Sequence, residues 1–227
     1  MTSANTRVDA TYHRIRADII AGRLAPGSRL LFSEMTQRYE ASTGVLREAL
    51  PRLVEQGLVV SQPQIGFRVV SLSVDDLRHL TEARVAIETL VLRQSVEHGD
   101  LSWETGVLTA HHTLVRTPRN GDGVELSDQW LQAHADFHHV LLAGSPNLRL
   151  RNIADSLRDS AEVYRCWSSP YGRKHDRDVA AEHRQLCDAA LARNADEAAA
   201  VLIRHIELTT EFLIEGAGIA EVPGDPT

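Results

Sequence analysis

The sequence predicts an α-dominated chain in two parts: three short helices closed by a small β-hairpin wing, then a six- to seven-helix antiparallel bundle. Three observations lead there. Apolar residues recur at helical spacing through most of the 227 residues, and the strand-prone runs lie between 58 and 70. Charge is divided as well, since residues 1–73 hold nine Arg against six acids, a formal +3, while the whole chain is −7. Two domains, 1–73 and 74–227, are therefore expected, with different partners. A small basic segment ahead of a larger acidic one suits a nucleic-acid reader joined to a module with another task, although a solvated surface gives the same balance. No apolar run approaches the roughly 18 residues of a membrane-spanning helix, and Arg7 and Asp9 interrupt the apolar core that a signal peptide requires. A cytoplasmic protein is expected. Cys166 and Cys187 lack CxxC spacing and read as buried thiols rather than a disulfide or thiolate metal site.

Each element of the first part has a local cause. Tyr12, Ile15, Ile19 and Ile20 form one face of a helix over 10–21 that stops at Gly22. Ala25-Pro26-Gly27-Ser28 is a turn, because proline presets its own φ and glycine tolerates a left-handed one. A second helix runs from an N-cap at Ser33 to Glu40. Ser42 or Thr43 caps a third that extends to Gln56, with Val45, Leu46, Ala49, Leu50, Leu53 and Val54 as its apolar face and Gly57 as its stop. Pro51 inside that helix should kink it unless packing absorbs the lost hydrogen bond. Leu58-Val59-Val60 and Phe67-Arg68-Val69-Val70 then form a hairpin around 61–66. Three helices and a hairpin make a winged helix.

These residues carry a family resemblance. Ile19-x-x-Gly22-x-Leu24-x-Pro26-Gly27-x-x-Leu30, Arg47-Glu48-Ala49-Leu50 and Glu55-x-Gly57-Leu58, with Pro63 and Gly66, resemble the GntR family of bacterial transcription regulators over residues 10–72. The resemblance implies a homodimer that binds a double-stranded DNA operator with inverted-repeat symmetry. It places Ser42, Thr43, Gly44 and Arg47 of the third helix in the major groove, and Gln64 and Gly66 of the wing beside the minor groove or backbone. The physics agrees, because a helix N-terminus offers unpaired N–H groups to phosphate and Arg47 on the first turns reaches a base edge or a phosphate. Ser42 reads equally as a plain N-cap or a phosphate contact. Relatives usually have Ser-Arg-Thr-Pro where this chain has Ser42-Thr43-Gly44-Val45, so base specificity does not carry over.

From Val74 onward the pattern is helical, over about 75–98, 101–117, 126–143, 147–167, 175–193 and 195–215, with turn-rich punctuation at 118–123, 144–147 and 168–172 and a loose tail from 216. His134 and His138 are i, i+4 and share a face with Trp130, Leu131 and Leu141. His183 aligns with Val179, Leu186 and Ala190, and His205 with Ala198, Val201, Leu208 and Phe212. Four imidazoles from three helices thus face inward, which is costly unless something common satisfies them. A shared metal and four separate structural histidines are the two readings. The other seven, including His139 and His111-His112, are expected at the surface. Tyr164 lies on the inward face of its helix, where its hydroxyl could meet a pocket.

Glu82-x-Arg84-x-x-x-Glu88, Phe137-His138 followed by Asn147-x-x-Leu150, and Glu182-His183 resemble the helical FCD-type effector domain of the FadR branch of that family, over 75–215. Some relatives hold a divalent metal there with an Asp or Asn, a His one turn later and two further His. In this chain position 134 carries a histidine in place of the acidic ligand, or His134 is swung away and the site is three-coordinate or empty. Four neutral ligands leave a divalent ion its full +2 charge, which favours an anionic effector, and imidazole-only ligation suits zinc foremost, then nickel, cobalt or copper, over magnesium or calcium. Arg84 matches the arginine that meets the effector's carboxylate in the family, against a bland reading as a helix salt bridge with Glu88 worth little. Arg84 and Tyr164 are the candidate effector contacts. The function expected is an effector-responsive DNA-binding regulator. A metal-dependent enzyme acting on a small carboxylate, or a regulator without metal, are the alternatives, and the first lacks HExxH or paired ExxH motifs.

Overall fold

Three short helices lead the chain: α1 (Thr2–Ile20), α2 (Phe32–Tyr39) and α3 (Thr43–Glu55). The computed structural model describes residues 2–119, 126–168 and 177–217, and the side chains of 2–6, 166–168, 216 and 217 lie outside that description. The readings of Cys166, of the tail and of most of the 118–123 and 168–172 turns therefore fall outside the described residues. Helix α1 begins at Thr2 rather than near residue 10, and its Val8, Tyr12, Ile15 and Ile19 are buried along one stripe. Gly22 then takes φ 74°, which ends the helix. Ser33 is not the cap of α2. Leu31 occupies that position without a side-chain cap, because its neighbour Leu30 is fixed in the core and donates to the Phe67 carbonyl at 2.9 Å. Ser42 does cap α3, accepting from Val45 N at 3.4 Å, and Leu46, Ala49, Leu50 and Leu53 are fully buried. Pro51 sits on the exposed side of α3, and the helix runs through it without a break.

The wing is β1 (Val59–Gln62) against β2 (Gly66–Val69), antiparallel from Val59↔Val69 to Gln62↔Gly66. Leu58 lies outside the strand and inside the core. At the tip Gln64 has φ 63° and Gly66 φ 95°, a left-handed pair that reverses the chain.

The second part consists of α4 (Val74–His98), α5 (Leu101–Arg116), α6 (Asp128–Leu142), α7 (Leu148–Ser168), α8 (Val179–Leu191) and α9 (Ala195–Ala217). Side chains set these starts. Ser73, Asp100, Ser127 and Asp178 each accept from the backbone N–H three residues on. The Asp178 cap explains why α8 starts at Val179 and not at 175. Helix α4 packs along α9 and α7, α5 along α6 and α8, and α8 along α9. Val91, Leu92, Trp103, Val107, Phe137, Leu141, Leu186, Val201 and Ile206 fill the bundle. Gly144 is required where the α6–α7 turn meets α4, since a Cβ there would lie 2.7 Å from the Ser95 carbonyl oxygen.

Helix α7 packs against both parts. Its Val163 belongs to the winged-helix core, its Asp159 pairs with Arg16 of α1, and its Ser156 hydroxyl reaches the Gln56 carbonyl at 3.4 Å.

Candidate metal centre and nucleic-acid interface

The helical phase that turns His134 and His138 inward on α6, His183 on α8 and His205 on α9 brings all four together. Each is buried, with relative exposure of 1, 2, 3 and 5% respectively. Each offers one ring nitrogen such that the four atoms lie within 4.8 Å of one another. Burial pushes every one toward the neutral form: His183 falls to about 2 and His205 to about 4, while His134 and His138 are held well below the ordinary imidazole value by burial and then by Arg165 and Arg158. Neutral imidazole is the ligating form.

The ring nitrogens have unequal partners. The Nε2 atoms of His138 and His183 are buried without a hydrogen-bond partner among the described residues. His205 has its Nδ1 2.7 Å from Glu182 Oε2, which fixes that nitrogen as the donor and leaves Nε2 as a lone-pair nitrogen. Glu182 is itself clamped by Arg177 through two bonds of 2.7 and 2.6 Å. Although burial opposes it, the bonds from Arg177 and His205 hold its carboxyl at about 2. His134 faces Arg165, whose Nη1 is 2.7 Å from Nδ1 and 3.1 Å from Nε2. Two orphaned nitrogens, one oriented by a carboxylate, and a fourth beside them form a donor set that fits a divalent transition metal.

Sequence reasoning missed the charged residues around this cluster. Arg158, Glu162 and Arg165 stand at i, i+4 and i+7 on α7, a spacing that puts them on one face and was the signal available. Arg165 Nη2 pairs with Glu162 Oε1 at 3.0 Å, and that carboxylate oxygen is 3.6 Å from His134 Nδ1. Glu182 was visible beside His183, but its role as the orienting acceptor of His205 was not.

Arg84 and Tyr164 both have partners within the protein. The Arg84–Glu88 pair expected at i, i+4 is present, with Arg84 Nε on Glu88 Oε1 at 2.6 Å, and Arg158 Nη1 takes Glu88 Oε2 at 2.9 Å. All three are buried, and Glu88 is completely enclosed. Burial opposes ionisation of Glu88, yet the two guanidiniums hold its pKa below the ordinary value. The Tyr164 hydroxyl donates to Asp76 Oδ2 at 2.6 Å and contacts the Ser73 backbone, which ties α7 to the start of α4. Of the remaining histidines, His139 is exposed with Nδ1 3.1 Å from Asp155, whereas His111 is half-buried against Phe137 with an unpartnered Nε2.

The other candidate surface lies at the opposite part of the chain. Ser42, Thr43, Gly44 and Arg47 are exposed at the N-terminal turns of α3, and Gln64 and Gly66 are exposed at the wing tip. Arg52, one turn further along α3, is committed to Asp9 at 2.6 Å and lies over the Tyr12 ring.

Comparison with known proteins decides the family. Residues 7–69 match the model of the bacterial regulatory proteins of the gntR family, and residues 79–208 match the FCD domain. The chain belongs to the GntR family. It is 43% identical over 210 residues to the HTH-type transcriptional regulator BphR of Paraburkholderia xenovorans, covering 90% of this chain and 84% of that protein. It is 31% identical over 203 residues to the HTH-type transcriptional repressor GlaR of Escherichia coli, covering 86% and 90%. Among solved structures, E. coli McbR/YncC shares the fold at TM-score 0.77 and 17% identity over 95% of this chain and 99% of that one. A GntR regulator from Rhodococcus sp. RHA1 does so at 0.71 and 22%, over 92% and 98%. This GntR protein is thus a transcriptional regulator with a DNA-binding winged helix and an effector domain, and its families are regulators rather than enzymes. Among the described residues no helix is long and apolar enough to cross a membrane.

Proposed function

We propose that this regulator is a homodimer that reads an inverted-repeat operator through two winged helices and responds to a small organic acid at a divalent metal in its FCD domain. The observation that carries this reading is the convergence of four buried, neutral imidazoles, two of them with ring nitrogens that no group among the described residues satisfies. A shared ion supplies the two unsatisfied nitrogens of His138 and His183 with the partner that burial denies them. His134, His138, His183 and His205 would hold the ion, zinc foremost, with nickel, cobalt or copper also suited to the donor set. When bound, such an ion supplies a +2 charge that neutral ligands leave uncompensated, and so favours a carboxylate.

On the DNA side, the open backbone N–H groups at Thr43 and Gly44 suit a phosphate, and Arg47 is exposed on the same turns to meet a base edge. Ser42 caps the helix, and Gln64 and Gly66 present the wing to the backbone or minor groove. A two-fold dimer presents two such heads, hence the inverted repeat. Helix α7 links the sites, because Arg158, Glu162 and Arg165 face the imidazole side while Asp159, Val163 and Tyr164 grip the winged helix and the start of α4. Footprinting with a panel of small carboxylates tests the reading. Carboxylate should alter operator affinity in the metal-loaded protein and not after chelation. An equal response with and without metal would refute the metal.

A further inference from the structure

We propose that His134 is an exchangeable ligand, which completes the metal centre when no effector is present and yields its place to the effector's carboxylate, with Arg165 receiving that carboxylate. The inference rests on the metal reading above. His138, His183 and His205 are held as a set. Their ring centres lie 5.2, 4.9 and 5.2 Å apart, a nearly equilateral triangle. Within it, the Nε2 atoms of His138 and His183 have no other partner, and His205 is aimed by Glu182.

His134 departs from this set in three ways. Its ring centre lies 4.6 and 5.0 Å from those of His138 and His183 but 6.4 Å from that of His205, so it sits off-centre over the triangle. Both of its nitrogens lie within reach of the Arg165 guanidinium. Its ring also stacks on Trp130, 5.0 Å between centres with planes 24° apart. A side chain with a cationic donor and an aromatic shelf loses less on leaving an ion than one whose nitrogen would be left buried and unpaired.

Coordination chemistry supplies the reason for exchange. Four imidazoles would fill the four positions that zinc commonly takes, whereas a ligand-responsive centre needs an open one. Releasing His134 opens one. One metal–nitrogen bond breaks and one metal–oxygen bond forms, the imidazole leaves neutral, and neither proton nor electron moves. The guanidinium that faced His134 then stands beside the incoming carboxylate and binds it through charge-assisted hydrogen bonds. Glu162 Oε1, 3.6 Å from His134 Nδ1, is the acceptor to which the departing ring turns. The ligand class is a compact mono- or dicarboxylate that spans from the ion to Arg165.

X-ray absorption at the zinc edge of the full-length, zinc-loaded protein, with and without acetate or malonate, reads the number of imidazole ligands directly. The expected count is four without carboxylate and three plus added oxygen with it. His134→Ala should keep stoichiometric zinc, show three imidazoles throughout and bind the probes more tightly, since no ligand has to leave. Arg165→Gln should keep its zinc and bind the probes about tenfold more weakly. Four imidazoles retained at saturating probe would overturn the exchange while leaving the metal centre in place, as would His134→Ala protein that loses zinc as completely as His138→Ala. Wild-type protein that takes up no zinc would overturn both the exchange and the metal reading. The wild-type spectrum decides between these outcomes whether or not every variant folds.

Discussion

Replacing Glu182 by Gln removes one charge and keeps the side chain's shape, and two effects follow from what Glu182 touches. His205 loses the carboxylate 2.7 Å from its Nδ1 that fixes which ring nitrogen carries the proton. Loss of such an orienting partner costs about 10- to 100-fold in metal affinity, or about 1.4–2.7 kcal/mol. Stability falls as well. The Glu182 carboxyl is held at about 2 in the folded chain, below its ordinary value, so its stabilisation is fully present at neutral pH and is lost only as pH falls toward 2. After screening this is about 2–3 kcal/mol, or about 4–12 °C in Tm for a chain of this size. Arg177 retains the His205 carbonyl at 3.1 Å and the Thr209 hydroxyl at 3.0 Å, which keeps the loss from unfolding the site. Competition against a chromophoric chelator measures the metal affinity and differential scanning fluorimetry the stability. Glu182→Gln protein that is folded and binds metal as tightly as wild type would refute the orienting role.

Arg47→Ala should weaken operator binding by about 1–3 kcal/mol in gel-shift titrations at fixed salt while the Tm stays unchanged, because the side chain is exposed; unchanged affinity would remove Arg47 from the interface. Glu88→Leu leaves Arg84 and Arg158 buried without their carboxylate, so thermal denaturation should show a loss of about 3–5 kcal/mol; a change below about 1 kcal/mol would mean that water reaches the pair. The metal-free protein should be acid-labile. Its four imidazoles are held below the unfolded value of about 6.5, so the unfolded chain binds more protons below that pH and stability falls as pH falls. With each imidazole contributing about 1.4 kcal/mol per pH unit, the slope near pH 5 approaches 5 kcal/mol per unit. A Tm that stays flat from pH 7 to pH 5 would contradict the neutral cluster.

Features fixed by a few neighbouring residues were legible in the sequence. Gly22 and Gly57 end helices because a left-handed residue is needed within that very turn, and Ser42 caps α3 through a bond to its own third neighbour. The four imidazoles were legible for a related reason: helical phase alone places them on the apolar sides of α6, α8 and α9, and the bundle then has one interior for them to share. What depended on tertiary placement was not. Leu31 displaced Ser33 as the cap because Leu30 is pinned against Phe67. Helix α7 lies between the bundle and the winged helix and buries Tyr164 toward the one and Val163 toward the other, a double burial that helical phase alone does not reveal. The Arg84–Glu88 pair is legible from its i, i+4 spacing, but only the approach of Arg158 from α7 reveals a buried triad.

If the four imidazoles form a metal centre, anomalous diffraction locates the ion directly. Crystals of protein purified without chelator should give, on the high-energy side of the bound metal's absorption edge, one strong peak per chain enclosed by His134, His138, His183 and His205, and it should vanish below the edge. No peak at that position in protein kept from chelators, or a peak elsewhere on the chain, would contradict the account.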